Sequence, residues 1–330
     1  MYKERTKILK QIEKRRTSRV ILYVTGDRPG LETQIHQDSY DYFVNILDDI
    51  GVVDKISLIL YTRGGSTLAA WSIVNLIRQF CKTLEVIIPS KAQSAGTLIS
   101  IGANTIVMTK QATLGPVDPS VNTPLNPKIE GAQPDAKVPV SVEAVNGFLE
   151  LAKSHMKKPD AKSIADLVVQ LSEKVHPLVL GEVYRSKTQI KMLSSKLLSN
   201  TDIPRDKIDD IVSFLCSESG SHDYTIHRRE ARKLGLVIEK PDDDFYSEIK
   251  TLYDDFATEL KLTERWNPPG ELGNNPKLEY IEKRCLIEST NGKSYFFSTE
   301  GVIQRIQLGP QQVQIQDNRV FEGWKNESAD

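Results

Sequence analysis

The chain has only three cysteines, Cys81, Cys216 and Cys285, and no two stand in a C-x-x-C spacing. An odd count without that spacing excludes a disulfide framework and a zinc knuckle. A surplus of one charge is missing too: the formal net charge is -1, so the chain as a whole attracts neither nucleic acid nor an anionic membrane. The basic run Lys187 to Lys196 fits a solvated helix face. No window reaches the ~18 apolar residues of a membrane span, and the N-terminal MYKERTKILKQIEKRRTSR is charged and helical in pattern, without the apolar stretch of a secretory signal. There is no G-x-x-x-x-G-K-[ST], and no G-x-G-x-x-G follows a first strand, which speaks against nucleotide binding. No internal repeat is present. These absences describe a protein expected in a reducing compartment, most simply the cytoplasm, with no integral membrane segment, no nucleic-acid partner, no metal and no dissociable cofactor.

A chain of 330 residues with 39% hydrophobic and 26% charged residues can bury a full core. From Arg19 onward, short β-rich runs alternate with helical periods. Val20–Val24, Ile56–Tyr61, Leu84–Ile88 and Thr105–Thr109 read as strands; Asp38–Ile50, Thr67–Phe80 and Ser94–Gly102 read as helices. Such alternation implies an α/β fold with parallel strands joined by right-handed crossovers. Six prolines between Ala112 and Pro139 mark a long loop, and long loops in compact domains tend to be functional. Helices are expected over Val142–Met156 and Ile164–Leu180, with a kink or break at Pro177. A helix stopped at Gly235 leads into a returning strand. Beyond Pro241, an amphipathic helix over Phe245–Leu260 precedes a hairpin at Asn291-Gly292. The expected organisation is an N-terminal helix (1–18), a catalytic-type α/β domain (19–240) and a small C-terminal α+β module (241–330).

Two strand ends share a peculiarity. Ile56–Tyr61 closes on Thr62-Arg63-Gly64-Gly65-Ser66, and Leu84–Ile88 closes on Ser94-Ala95-Gly96. In an open α/β sheet the ligand crevice lies beyond the carboxyl ends of the strands, where both corners fall. The glycines allow a tight turn with exposed N–H groups, and a serine at a strand-to-helix turn projects its Oγ into the crevice at a helix N-terminus. Each piece also has a plain reading, since a glycine pair can be only a turn and such a serine only an N-cap. Asp118, between Pro116 and Pro119, is equally readable as an Asx-turn residue.

Together, TRGGS (Thr62–Ser66), AQSAGTLISIGA (Ala92–Ala103), LGPVDPS (Leu114–Ser120) and HDYTIHRREARKLGL (His222–Leu236) resemble the serine dehydrogenase proteinase family, relatives of the Clp-type proteolytic subunit and of signal peptide peptidases. The resemblance spans roughly Arg19 to Ile238 and implies a Clp/crotonase-like parallel sheet flanked by helices. It also implies a serine peptidase with Ser94 as nucleophile, His222 as base and Asp118 as acid, and with Gly64, Gly65 and Ala95 as oxyanion donors. Triads are defined by roles rather than chain order, so the order Ser, Asp, His is no obstacle. Asp223 is the alternative acid. One departure stands out: many family members carry an aromatic-Pro-Ala element where this chain has KVPVSVEAV, after a longer loop.

Other readings stay open. Signal peptide peptidases use a lysine base, and Lys128 or Lys137 could reach from the long loop. A catalytically weak scaffold could bind extended peptides by strand addition, and RGGST could cradle an anion in an acyl-CoA or phosphate site. Polypeptide is the expected substrate, extended or unfolded. The apolar faces of Val142–Met156 and Ile164–Leu180, taken with the rings or dimers of trimers that relatives of this fold form, imply a closed homo-oligomer; the plain alternative is that these helices pack on their own sheet or on the C-terminal module.

Overall fold

The β-rich runs pair as their pattern anticipates. In chain order the strands of the large sheet are β1 Arg19–Thr25, β2 Val53–Tyr61, β3 Cys81–Ile88, β4 Thr105–Met108, β5 Ile238–Glu239, β6 Lys277–Ser289, β7 Ser294–Gly309 and β8 Gln312–Asn326. They form an eight-stranded sheet in the order β5-β4-β3-β2-β1-β6-β7-β8. β1 to β5 run parallel, with Leu22 opposite Ile59 and Leu58 opposite Val86. β6 to β8 continue the sheet antiparallel from β1. The computed structural model describes residues 2–117, 120–129, 136–155, 160–218, 223–309 and 312–327. No helix among the described residues is long and apolar enough to cross a membrane.

Alternation of side chains gives the sheet two apolar faces. Val20, Leu22, Val24, Ile59, Ile87 and Val107 share one, covered by Leu9 and Ile12 of helix Tyr2–Arg16 and by Phe245, Ile249, Leu252 and Phe256 of helix Asp243–Glu259. Each such side chain, fully buried, contributes about 1.5–3 kcal/mol, which fixes both helices to the sheet. Tyr23 belongs to the other face and meets the ring of Phe43, in helix Tyr40–Ile50, edge-on at 5.1 Å.

Two of the sequence boundaries look different in the structure. The N-terminal helix is a layer of the core: Arg5 is fully buried, with Glu288 2.6 Å from its Nη2 and Glu259 2.7 Å from its Nη1. A lone buried guanidinium would be prohibitive, and those carboxylates offset it. The expected module boundary near 240 falls inside a continuous sheet, because β6 pairs with β1 through Val24 opposite Leu286. The change in composition marks a switch from parallel to antiparallel pairing, where hairpins such as Asn291-Gly292, with Gly292 at φ 92°, replace crossover helices.

The chain divides into two compact units: Met1–Leu114 with His227–Asp330, and Gly115–Ile226. The second is built on helices Val142–His155, Ala161–Lys174, Pro177–Leu198 and Arg205–Ser213 around a cluster of Val121, Val140, Val142, Val179 and Val183. The expected break comes at Pro177, which opens the longest of these helices at a position where its missing N–H costs nothing. Helix Ala161–Lys174 buries none of its residues, and its Val168 and Val169 are exposed.

Candidate active site

The two small-residue corners are matched because they pack on each other. Thr62, fully buried at the end of β2, ties them: its N–H donates to Lys91 O (3.1 Å) and its carbonyl accepts from Gln93 N (3.1 Å). Its Oγ1 accepts from Gly64 N (2.9 Å) and from the Thr25 hydroxyl (2.6 Å). A Cβ on Gly96 would lie 2.4 Å from Thr62 Cγ2, and a Cβ on Gly64 would lie 2.7 Å from Ser94 Cβ. Side chains at either glycine would push the corners apart.

Ser94 stands between Ala92, the end of a two-residue strand, and helix Ala95–Ile101. Its backbone has φ 51° and ψ -116°, a region that L residues rarely enter. Such a conformation costs on the order of 1–3 kcal/mol and persists only where the surroundings enforce it. Here the enforcement is visible: Gly96 N donates to Gln93 O (2.8 Å), Leu98 N to Ser94 O (3.2 Å), and the Thr97 hydroxyl to Ala92 O (2.9 Å). The Ser94 side chain caps nothing. Ser66, at the other corner, is an ordinary N-cap whose Oγ accepts from Ala69 N at 3.2 Å. The N-cap reading suits Ser66 and fails for Ser94.

The backbone donors separate as clearly. Gly64 N–H is committed to Thr62 Oγ1, and Gly96 N–H to Gln93 O. Ala95 opens its helix, where N–H groups lack intrahelical acceptors. Gly65, at φ 140°, is flanked by peptide groups that pair with Ile35: Ile35 N donates to Gly64 O and Ser66 N to Ile35 O, both at 2.8 Å. Its own N–H has no partner among the described residues. Gly64 therefore matters for close approach, while Gly65 and Ala95 retain donors at a half-buried serine.

Asp118 and His222 fall outside the described residues. Asp223 is exposed, and Lys128 pairs with Lys137 across an antiparallel bridge, all three in the Gly115–Ile226 unit. His36 Nδ1 accepts from Asp38 N (3.4 Å), His155 Nδ1 lies 2.9 Å from Leu151 O, and His176 Nδ1 accepts from Leu178 N (3.2 Å). His227 is exposed at the start of helix Arg228–Lys233. Lys91, three residues before Ser94, is held by Asp27 at 2.8 Å. Reading the sequence missed Thr62 and Ile35. The threonine stood inside the TRGGS motif that carries the resemblance, whereas nothing local marks Ile35.

Residues 1–170 match the family model described as ClpP-like SDH-type serine proteinase. The chain is 28% identical over 245 residues to an uncharacterised protein of Methanocaldococcus jannaschii, covering 71% of this chain and 73% of that one. A second protein of the same organism is 26% identical over 246 residues, 71% of each chain. Among solved structures, a mutant of the membrane-bound stomatin-specific protease 1510-N superposes with a TM-score of 0.39 at 16% identity, covering 70% of this chain and 85% of that one. A mutant of ClpP1 from Listeria monocytogenes gives 0.37 at 14% identity, covering 72% and 99%.

Proposed function

Because the chain belongs to the ClpP-like SDH-type serine proteinases, we propose that Ser94 is the nucleophile of a peptidase working through an acyl-enzyme. Support comes from Ser94 itself, an uncapping serine held at φ 51° against Gly64. A turn residue without a task would relax or be glycine. In the reaction, Ser94 Oγ adds to the scissile carbonyl carbon as its proton passes to His222. The C–N bond then breaks, that proton leaves with the amine, and water releases the acyl group by the reverse relay. Asp118 orients the imidazole, with Asp223 as the rival acid. Gly65 and Ala95 N–H groups receive the oxyanion, and Gly64 sets their spacing.

The substrate is an extended or unfolded polypeptide, and the acting form is a closed homo-oligomer. Val168 and Val169, on a helix with no buried residue, and Leu151 and Leu178, on the helices before and after it, are exposed apolar side chains that a second copy would cover. The three cysteines are buried and form no disulfide among the described residues, which accords with a reducing compartment. A fluorophosphonate probe tests the nucleophile: wild type should label covalently and Ser94→Ala should not. Labelling that survives in Ser94→Ala would leave the fold as a peptide-binding scaffold or move the chemistry to another residue.

A further inference from the structure

We propose that Arg284, on β6 of the C-terminal strands, is a positioning residue for the oxyanion site, an inference that rests on Ser94 being the nucleophile. Gly65 can present its N–H only while the peptide groups on either side of it are bonded to Ile35, since those bonds set the plane of its own peptide. Ile35 is an isolated bridge partner, not part of a strand, so something else must hold it. The distance leaves no slack: a Cβ on Gly65 would sit 2.3 Å from Ile35 O and 2.5 Å from Ile35 N.

What holds Ile35 is a strap of chain from Gly26 onward, clamped to the C-terminal part of the protein at successive points. Arg28, almost fully buried, donates to Glu264 O (3.1 Å) and lies 2.8 Å from Glu282. Trp266 N donates to Pro29 O (2.9 Å), and Leu31 is buried among Trp266, Leu272, Tyr280 and Ile303. The last clamp before Ile35 is Arg284. Its Nε donates to Leu31 O (2.9 Å) and its Nη2 to Glu32 O, while its own carbonyl accepts from Gly26 N (2.8 Å) and from the Thr33 hydroxyl (2.9 Å). Nη1 is braced from behind by Thr299 and Glu322, both at 2.8 Å. One residue thus grips both edges of residues 31–33, two positions from the residue that sets Gly65. A guanidinium can do this because its rigid fork serves two carbonyls at once, which a single ammonium cannot.

The C-terminal strands are therefore part of the catalytic framework. Misplacing an oxyanion donor weakens transition-state stabilisation more than substrate binding, so the loss should appear in kcat. Arg284→Ala should lower kcat, and the rate of Ser94 phosphonylation, by about tenfold or more, with KM changed far less. Arg284→Lys should recover part of that loss. Lys283→Ala is the control: Lys283 is the neighbouring residue on β6, paired with Glu259 at 2.7 Å and Glu327 at 2.6 Å, and it does not touch the strap. It should lower the denaturation midpoint about as much as Arg284→Ala while leaving kcat alone. Should Arg284→Ala fail to fold, Thr33→Val removes one clamp isosterically, and a smaller fall in kcat is expected. Wild-type phosphonylation rates in a folded Arg284→Ala or in Thr33→Val, or equal kcat losses in Lys283→Ala, would overturn the positioning role while the peptidase reading stands. If wild type does not label at Ser94, both fall together.

Discussion

The unit of Met1–Leu114 with His227–Asp330 and the unit of Gly115–Ile226 hold their residues in different ways. At the two corners of the first, small residues are forced: Gly64, Gly65 and Gly96 have backbone or side-chain atoms where a Cβ would go. In the second, Gly147 and Gly181 have nothing within 4 Å of such a Cβ, and a whole helix buries no residue. The contrast separates two requirements of a serine peptidase. A nucleophile and its oxyanion donors must be preorganised to fractions of an ångström, and a dense parallel sheet provides that. Elements that meet polypeptide or other subunits need apolar surface instead.

The largest expected effects fall on the proposed reacting groups. Ser94→Ala should reduce peptide hydrolysis by 10³-fold or more, on the order found for units that act together, with the fold intact by circular dichroism. Wild-type turnover in that variant would place the nucleophile elsewhere. His222→Ala should cost on the order of 10³-fold, against little for His36→Ala, His155→Ala or His176→Ala, whose imidazoles are engaged in local caps and turns. Equal loss on Lys128→Ala or Lys137→Ala, with His222→Ala active, would replace the histidine by a lysine base. Between Asp118→Asn and Asp223→Asn, the larger fall in kcat identifies the acid.

The sequence made the sheet unit legible because its signals are local. Helix Thr67–Phe80 has the expected bounds, and the strand runs appear where period and turn residues place them. The corner glycines were readable for the same reason: TRGGS and SAG each carry their demand within five residues. The status of Gly64 was not readable. Its N–H is spent on Thr62 Oγ1, a bond that depends on how tightly the turn closes. The place of the C-terminal strands was hidden too. The pairing of Val24 with Leu286 joins residues far apart in sequence, and alternation fixes which face a strand shows but not which strand lies beside it. Arg284 could not be found from its neighbours, since its role exists only through carbonyls of residues 31 and 32.

A paired glycine experiment sharpens the contrast between the units. Gly65→Ala must place a Cβ on a residue at φ 140° and against Ile35 O, so it should destabilise by about 1–3 kcal/mol and lower kcat by about 10²-fold as the clash displaces the oxyanion-donating N–H. Gly147→Ala, inside helix Val142–His155 with open space around it, should stabilise by about 0.5–1 kcal/mol through helix propensity. Urea melts of both variants check the signs. Equal and mild effects would mean that the corner is as loose as the helix.

An effect on stability alone is expected at Ser94 itself. At φ 51° and ψ -116° its backbone lies where glycine is at ease and a Cβ is strained. Serine at this point therefore trades stability for a hydroxyl at the helix N-terminus, as strained functional residues commonly do. Ser94→Gly and Ser94→Ala should be equally inactive, because both lack the Oγ. Glycine should nevertheless give the more stable protein, by about 1 kcal/mol relative to alanine, since relief of the positive φ exceeds the added entropy of the unfolded chain. The Ser94 side chain makes no capping bond, so its removal contributes little to either variant. Chemical denaturation of the two variants side by side measures the difference. An alanine variant as stable as the glycine variant would show that the corner imposes no strain, and preorganisation at Ser94 would then have to come from the Thr62 contacts alone.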